Sequence, residues 1–152
     1  MKIMVSACLM GENVKYNGGN NYSKALLAFV RGHDLVPVCP EVLGGLPVPR
    51  EPAEIVNGTV MDRTGISVDS AFRHGAAAVL KIAEEEKPDL IVLQSRSPSC
   101  GVHEIYDGTF SGRKIPGAGI TARLLLEHGF RVMDVKDLFL YQNAEDALLP
   151  AK

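Results

Sequence analysis

Apolar residues along this chain fall into short unbroken runs set between longer stretches of mixed character. The runs are KIMVSAC at 2–8, DLVPVC at 34–39, DLIVL at 89–93 and FRVMDV at 130–135. Each is too short for a helix of its own and reads as a buried strand. Pro37 weakens the second, because a proline cannot donate to a ladder. Between the runs the apolar positions recur at helical spacing. In SKALLAFVRGH (23–33), Ser23 is placed to cap a helix that turns Leu26, Leu27 and Val30 inward and ends near Gly32. Ser67 is expected to cap a long helix with Asp69 in its first turn, a stripe of Val68, Phe72, Ala76, Val79, Leu80 and Ala83, and Pro88 as its stop. Gly117-Ala118-Gly119 opens a helix to about Glu127, and DLFLYQNAEDALL (137–149) reads as a short final helix.

Two stretches carry no strong period. The first, 40–52, belongs to a segment from Pro37 to Pro52 that holds five of the nine prolines, so neither regular helix nor central strand is expected there. The second is 94–116, with a hairpin expected around Asp107-Gly108. AEIVNGTVMD (53–62) reads as a short strand or hairpin. Long ordered loops of this kind usually carry function. Strands that alternate with helices imply a mostly parallel sheet with right-handed crossovers, hence a single three-layer α/β domain over 1–152.

Composition narrows the function. The 152 residues are 46% hydrophobic and 22% charged, as in a folded globular protein. A net charge of -2 argues against an extended basic surface for nucleic acid. There is no apolar run of spanning length and no leader-like apolar segment at the start, so a cytoplasmic location is expected. Three cysteines, an odd number at long separations, do not suggest a disulfide framework.

Those cysteines carry the chemistry. Cys8 closes the first strand run, Cys39 closes the second, and Cys100 follows DLIVL by one loop. In a parallel α/β sheet the carboxyl ends of the strands share one edge, where ligand sites form. Cysteines 31 and 61 residues apart are therefore expected to converge. Three thiolates with His103 would suit zinc. Three thiolates alone would leave one iron of a cubane cluster without a protein ligand, open to a soft atom such as sulfur. A reactive cysteine, or thiols that are simply buried in a nucleotide-binding domain, are the remaining readings.

SACLMG (6–11), Tyr16 in VKYNGG, VPVCPEVLGGLPVPREPAEI (36–55), SVDSAFRHGA (67–76), SRSPSCGVHEIYDGTFSG (95–112) and PGAGITARLL (116–125) together resemble the TudS-like desulfidases. The resemblance spans about Val5 to Val135. It implies a Rossmann-like fold and a 4Fe–4S cluster held by Cys8, Cys39 and Cys100. It further implies an open iron that binds the sulfur of a thiolated base or nucleoside of 2- or 4-thiouracil type. Sulfur then leaves as sulfide in a hydrolytic, non-redox C–S cleavage. Glu41 is the expected general acid/base, and Ser99 or Ser97 the expected hydroxyl that orients water or substrate. Gly44 and Gly45 are expected to let backbone approach the substrate or cluster. Arg50 is expected to pair with a carboxylate such as Glu54. Family members often carry a lysine and a glutamate before SPSCG, where this chain has Gln94 and Ser95; Arg96 is the expected substitute, and substrate choice is the property this affects. The rival expectation is a non-catalytic zinc or sulfur-binding module built on the same thiols.

Overall fold

The computed structural model describes residues 1–148. Four strands form the central sheet: β1 (Lys2–Ser6), β2 (Asp34–Val38), β5 (Leu90–Leu93) and β8 (Val132–Asp134), in the order β2-β1-β5-β8 and all parallel. Two hairpins stand apart from it, β3 (Ala53–Val56) with β4 (Thr59–Asp62), and β6 (Glu104–Tyr106) with β7 (Lys114–Pro116). The helices are α1 (Lys24–Phe29), α2 (Pro40–Leu43), α3 (Asp69–Glu86) and α4 (Ile120–Glu127).

Successive side chains of the sheet point to opposite faces. Ile3, Val5, Leu90 and Val92 pack with Leu26 and Phe29 of α1 and with Leu138. Met4, Ile91 and Leu93 pack with Val79 and Ala83 of α3 and with Ala122 and Leu125 of α4. The result is the expected three-layer α/β arrangement with a mostly parallel sheet. Among the described residues no helix is long and apolar enough to cross a membrane.

Pro37 is tolerated because β2 is an edge strand, paired only with β1, so its missing donor removes no ladder bond. The first strand stops at Ser6, and Ala7–Met10 form a tight 3-10 turn, so Cys8 sits in that turn rather than on the strand. Residues 40–43 are helical, against expectation: Pro40 occupies the first helical position, where its fixed φ helps and its absent N–H is not missed. Ser67 is not the cap of α3; Val68 holds that position, and Asp69 instead accepts the Val60 amide at 3.0 Å. The final helix is two 3-10 turns, Val135–Leu140 and Asp146–Leu148. Leu149, the expected end of that helix, and residues 150–152 of the expected domain lie outside the described residues.

Helix α2 is pressed onto α3 through two glycines. A Cβ on Gly44 would meet the Ala71 carbonyl oxygen at 2.1 Å, and one on Gly75 would meet the Pro40 carbonyl oxygen at 1.9 Å. Both partners are backbone and cannot rotate away. Gly44→Ala or Gly75→Ala therefore has to push the helices apart, which costs about 1–3 kcal/mol and shows as a lowered midpoint in urea unfolding.

Candidate active site

The chain order reverses between β1 and β5, with β2 on one side and β8 on the other. Beyond the carboxyl ends of these strands lies a cavity of about 440 Å³. Cys8 follows β1, Cys39 follows β2 and Cys100 follows β5; all three line this cavity. Glu41, Arg50 and Ser97 line it too.

Each cysteine is fixed by local backbone chemistry. The Asn21 amide donates to the Cys8 carbonyl at 2.9 Å, and Asn21 Nδ2 donates to Cys8 Sγ at 3.4 Å. Cys39 stands at the N-cap position of α2, near the first amides of that helix and without a side-chain capping hydrogen bond. Cys100 sits in the SPSCG turn. There Ser97 Oγ accepts the Ser99 and Cys100 amides, each at 3.1 Å. The first amides of α4 hold this turn from below: Ile120 donates to the Pro98 carbonyl at 2.8 Å and Thr121 to the Ser99 carbonyl at 2.9 Å. A Cβ on Gly119 would lie 2.5 Å from the Ser99 carbonyl carbon, so the start of α4 packs tightly against the SPSCG turn.

Burial pushes all three thiols up. Asn21 counters this at Cys8, the α2 amides counter it at Cys39, and the Ser6 hydroxyl counters it at Cys100, the most deeply buried of the three. Protonated thiols are the state such a wall favours until a cationic group compensates the charge. The donors are soft, which suits thiophilic metals. Among the described residues no three Cys, His, Asp or Glu groups come together closely enough to hold a single metal ion. Sulfurs on one zinc would lie roughly 3.8 Å apart. Three soft thiol donors that face one cavity fit the donor set of an iron–sulfur cluster.

His103 does not join them. It is exposed, and its Nε2 lies 2.6 Å from Asp137 Oδ2, so the zinc set with His103 as fourth ligand is not formed. Gly44 and Gly45 are likewise not among the residues that line the cavity; Gly44 serves the α2–α3 contact. Arg96 does line it, with Gln94. Ser95 is buried, and its hydroxyl bonds Asp134 Oδ1.

Glu41 is gripped from both sides. Its Oε2 accepts the Ser99 hydroxyl at 3.0 Å, and its Oε1 faces Arg50 Nε at 3.4 Å. Ser99 Oγ is in turn 3.0 Å from Ser97 Oγ. Arg50 thus pairs with Glu41, not with Glu54. Its guanidinium also donates to the Val14 carbonyl at 2.9 Å and the Pro47 carbonyl at 3.1 Å, while its amide donates to the Tyr16 carbonyl at 2.6 Å. The importance of Arg50 was hidden in the sequence, where the signal was only an arginine inside a proline-rich loop.

Comparison with known proteins follows the same lines. The model of the 2-thiouracil desulfurase family matches residues 3–137. The uncharacterized protein YbbK of Bacillus subtilis (strain 168) is 41% identical over 146 residues, which cover 90% of this chain and 97% of that protein. A solved structure described as the 4Fe-4S-dependent thiouracil desulfidase TudS (DUF523Vcz) superposes with a TM-score of 0.85 at 38% identity, covering 91% of this chain and 93% of that one.

The Arg50 side chain is buried and bonds the half-buried Glu41 carboxylate and Val14 carbonyl as well as the exposed Pro47 carbonyl, so its loss leaves Glu41 and Val14 without a partner there. Arg50→Met is expected to lower stability by roughly 3 kcal/mol in urea unfolding, with Arg50→Lys in between because a single ammonium cannot reproduce the fork.

Proposed function

This chain belongs to the 2-thiouracil desulfurase family, and on that footing we propose that it removes sulfur from a thiolated pyrimidine of 2- or 4-thiouracil type, with Cys8, Cys39 and Cys100 as the ligands of a 4Fe–4S cluster. The observation that carries this reading is the meeting of three cysteines from three strand ends with Glu41 on one cavity wall. When bound, the cluster supplies an iron without a protein ligand, a soft Lewis acid for the sulfur of a thiocarbonyl.

The remaining chemistry falls to the chain. Water replaces sulfur at the ring carbon: a C–O bond forms, the C–S bond breaks, and sulfur departs as sulfide with no change in electron count. The attacking water must lose a proton, and Glu41 is the carboxylate placed to take it. Arg50 holds that carboxylate in one orientation on its Oε1 side. Ser97 stands in the cavity wall, whereas Ser99 is fully buried behind it and bonds both Ser97 and Glu41. In this arrangement Ser97 is the hydroxyl that meets water or substrate. Ser99 links it to the carboxylate, so that a proton can pass along Ser97, Ser99 and Glu41 without crossing bulk solvent.

On this reading, protein reconstituted without oxygen contains four iron and four acid-labile sulfide per chain in a 4Fe–4S cluster. Cys8→Ala, Cys39→Ala and Cys100→Ala each lose that iron; zinc, or no metal, in the wild-type protein would overturn the reading. Glu41→Gln retains the iron and the visible absorption of the cluster, and its kcat for 2-thiouracil falls by roughly 10²–10⁴. Ser99→Ala retains the iron as well and lowers kcat by a smaller factor, whereas a fully active Ser99→Ala protein would remove the proton path.

A further inference from the structure

Glu54 is a carboxylate to which the desulfuration chemistry assigns no part. It lies on β3, is 9% exposed, and lines the same cavity as the cysteines. Its Oε1 accepts the amides of Gly108 at 3.0 Å and Phe110 at 3.2 Å, which holds the turn between β6 and β7 against β3. Among the described residues no cation lies within ion-pair distance of it. Its Oε2 has no hydrogen-bond partner among the described residues, and it is not sealed away either, since among them the sealed unpartnered side-chain oxygen is that of Thr121. A nearly buried, uncompensated carboxylate with a free oxygen is costly unless a donor meets it.

The wall of the cavity carries two carboxylates, Glu41 and Glu54. Both oxygens of Glu41 are occupied, by Ser99 and Arg50. Of the four oxygens of these two carboxylates, Glu54 Oε2 is the one without a partner among the described residues. A thiolated pyrimidine carries N–H donors beside its thiocarbonyl carbon. The N3–H flanks that carbon in both 2- and 4-thiouracil, and it survives when the base is part of a nucleoside. We propose that Glu54 Oε2 accepts the N3–H of the substrate, which makes Glu54 a specificity-determining residue that orients the thiocarbonyl toward the cysteine side of the cavity. The β6–β7 turn holds the carboxylate in place for this contact through the Oε1 bonds. The inference rests on the desulfidase reading.

Selectivity tests it. A site built to bond an N–H rejects the analogue that lacks it; N3–H is the one N–H beside the thiocarbonyl of 4-thiouracil, so cluster-loaded wild-type protein is expected to prefer 4-thiouracil over 3-methyl-4-thiouracil by roughly tenfold or more in kcat/KM. Glu54→Gln keeps an oxygen for the Gly108 and Phe110 amides but turns a donor toward the cavity. In that variant the preference is expected to collapse to within about threefold, with most of the loss falling on 4-thiouracil. Equal losses on both substrates, or no loss on either, would reduce Glu54 to a clasp for the turn and overturn the inference. The wild-type measurement stands by itself if the variant does not fold: equal turnover of the two substrates also overturns it. A cluster-loaded wild-type protein that converts neither substrate refutes the desulfidase reading, and the inference falls with it.

Discussion

A parallel sheet whose chain order turns back on itself cannot close the gap it leaves at the turning point. Here β1 sends the chain through α1 to β2 on one side, and the chain returns through α3 to β5 on the other. The connections leave the carboxyl edge in opposite directions, so no helix covers the space between them. Every functional feature of the protein hangs on that gap. The residues just past β1, β2 and β5 are the ones the topology forces to its rim, and in this chain each of those segments carries a cysteine. Register adds to the effect: β1 pairs with β2 over Lys2–Ser6 and with β5 over Ile3–Val5, so the three strand ends finish level with one another.

The gap is then shaped by polar groups that the apolar sheet cannot supply. Burial alone would keep the three thiols neutral and the site inert. Polar surroundings counter the burial at each sulfur: the Asn21 side-chain amide donates to Cys8, and the α2 amides near Cys39 and the Ser6 hydroxyl near Cys100 act in the same direction. These groups favour the thiolate with little added charge, since Arg50, whose charge also favours the Cys39 thiolate, is itself paired with Glu41. A full positive charge beside each cysteine would stabilise thiolates as free anions; neutral donors leave the larger part of the compensation to a bound metal. The wall is therefore poised for a cationic guest, a property of its chemistry that holds independently of which substrate the site handles.

What could be read from the sequence follows from how local each feature is. The four sheet strands were visible as apolar runs because both of their faces are covered. The cysteines were visible as a set because strand ends are easy to place and the edge they share follows from topology. Features made by distant pairs were not visible. Gly44 looked like a residue that admits a ligand, but its neighbour is the backbone of Ala71, on another helix. Glu54 looked like a partner for Arg50, since the two are close in sequence; Arg50 turns instead to Glu41, nine positions back. Pro40 looked like a helix breaker when it begins one, since a proline's effect reverses between the interior and the first position of a helix. His103 stood three residues after Cys100, a tempting ligand spacing, but it lies exposed just before β6 and meets Asp137.

Arg50 shows how a loop of prolines becomes rigid enough to hold a reacting group. Pro47, Pro49 and Pro52 lack backbone donors, so the stretch 47–52 beyond α2 forms no regular element. One guanidinium locks it by reaching the carbonyls of Val14 and Pro47 and the carboxylate of Glu41 together. The two loops that frame the cavity, after β1 and after β2, are thereby tied at a single point, and the carboxylate proposed to act on water is part of the knot. Its other oxygen is held by a serine whose own turn is anchored on α4. Glu41 is thus positioned by elements that pack on the sheet independently. A carboxylate fixed in this way can stay close to three sulfurs without swinging into their place, which is the condition for a thiolate wall and a general base to share one cavity.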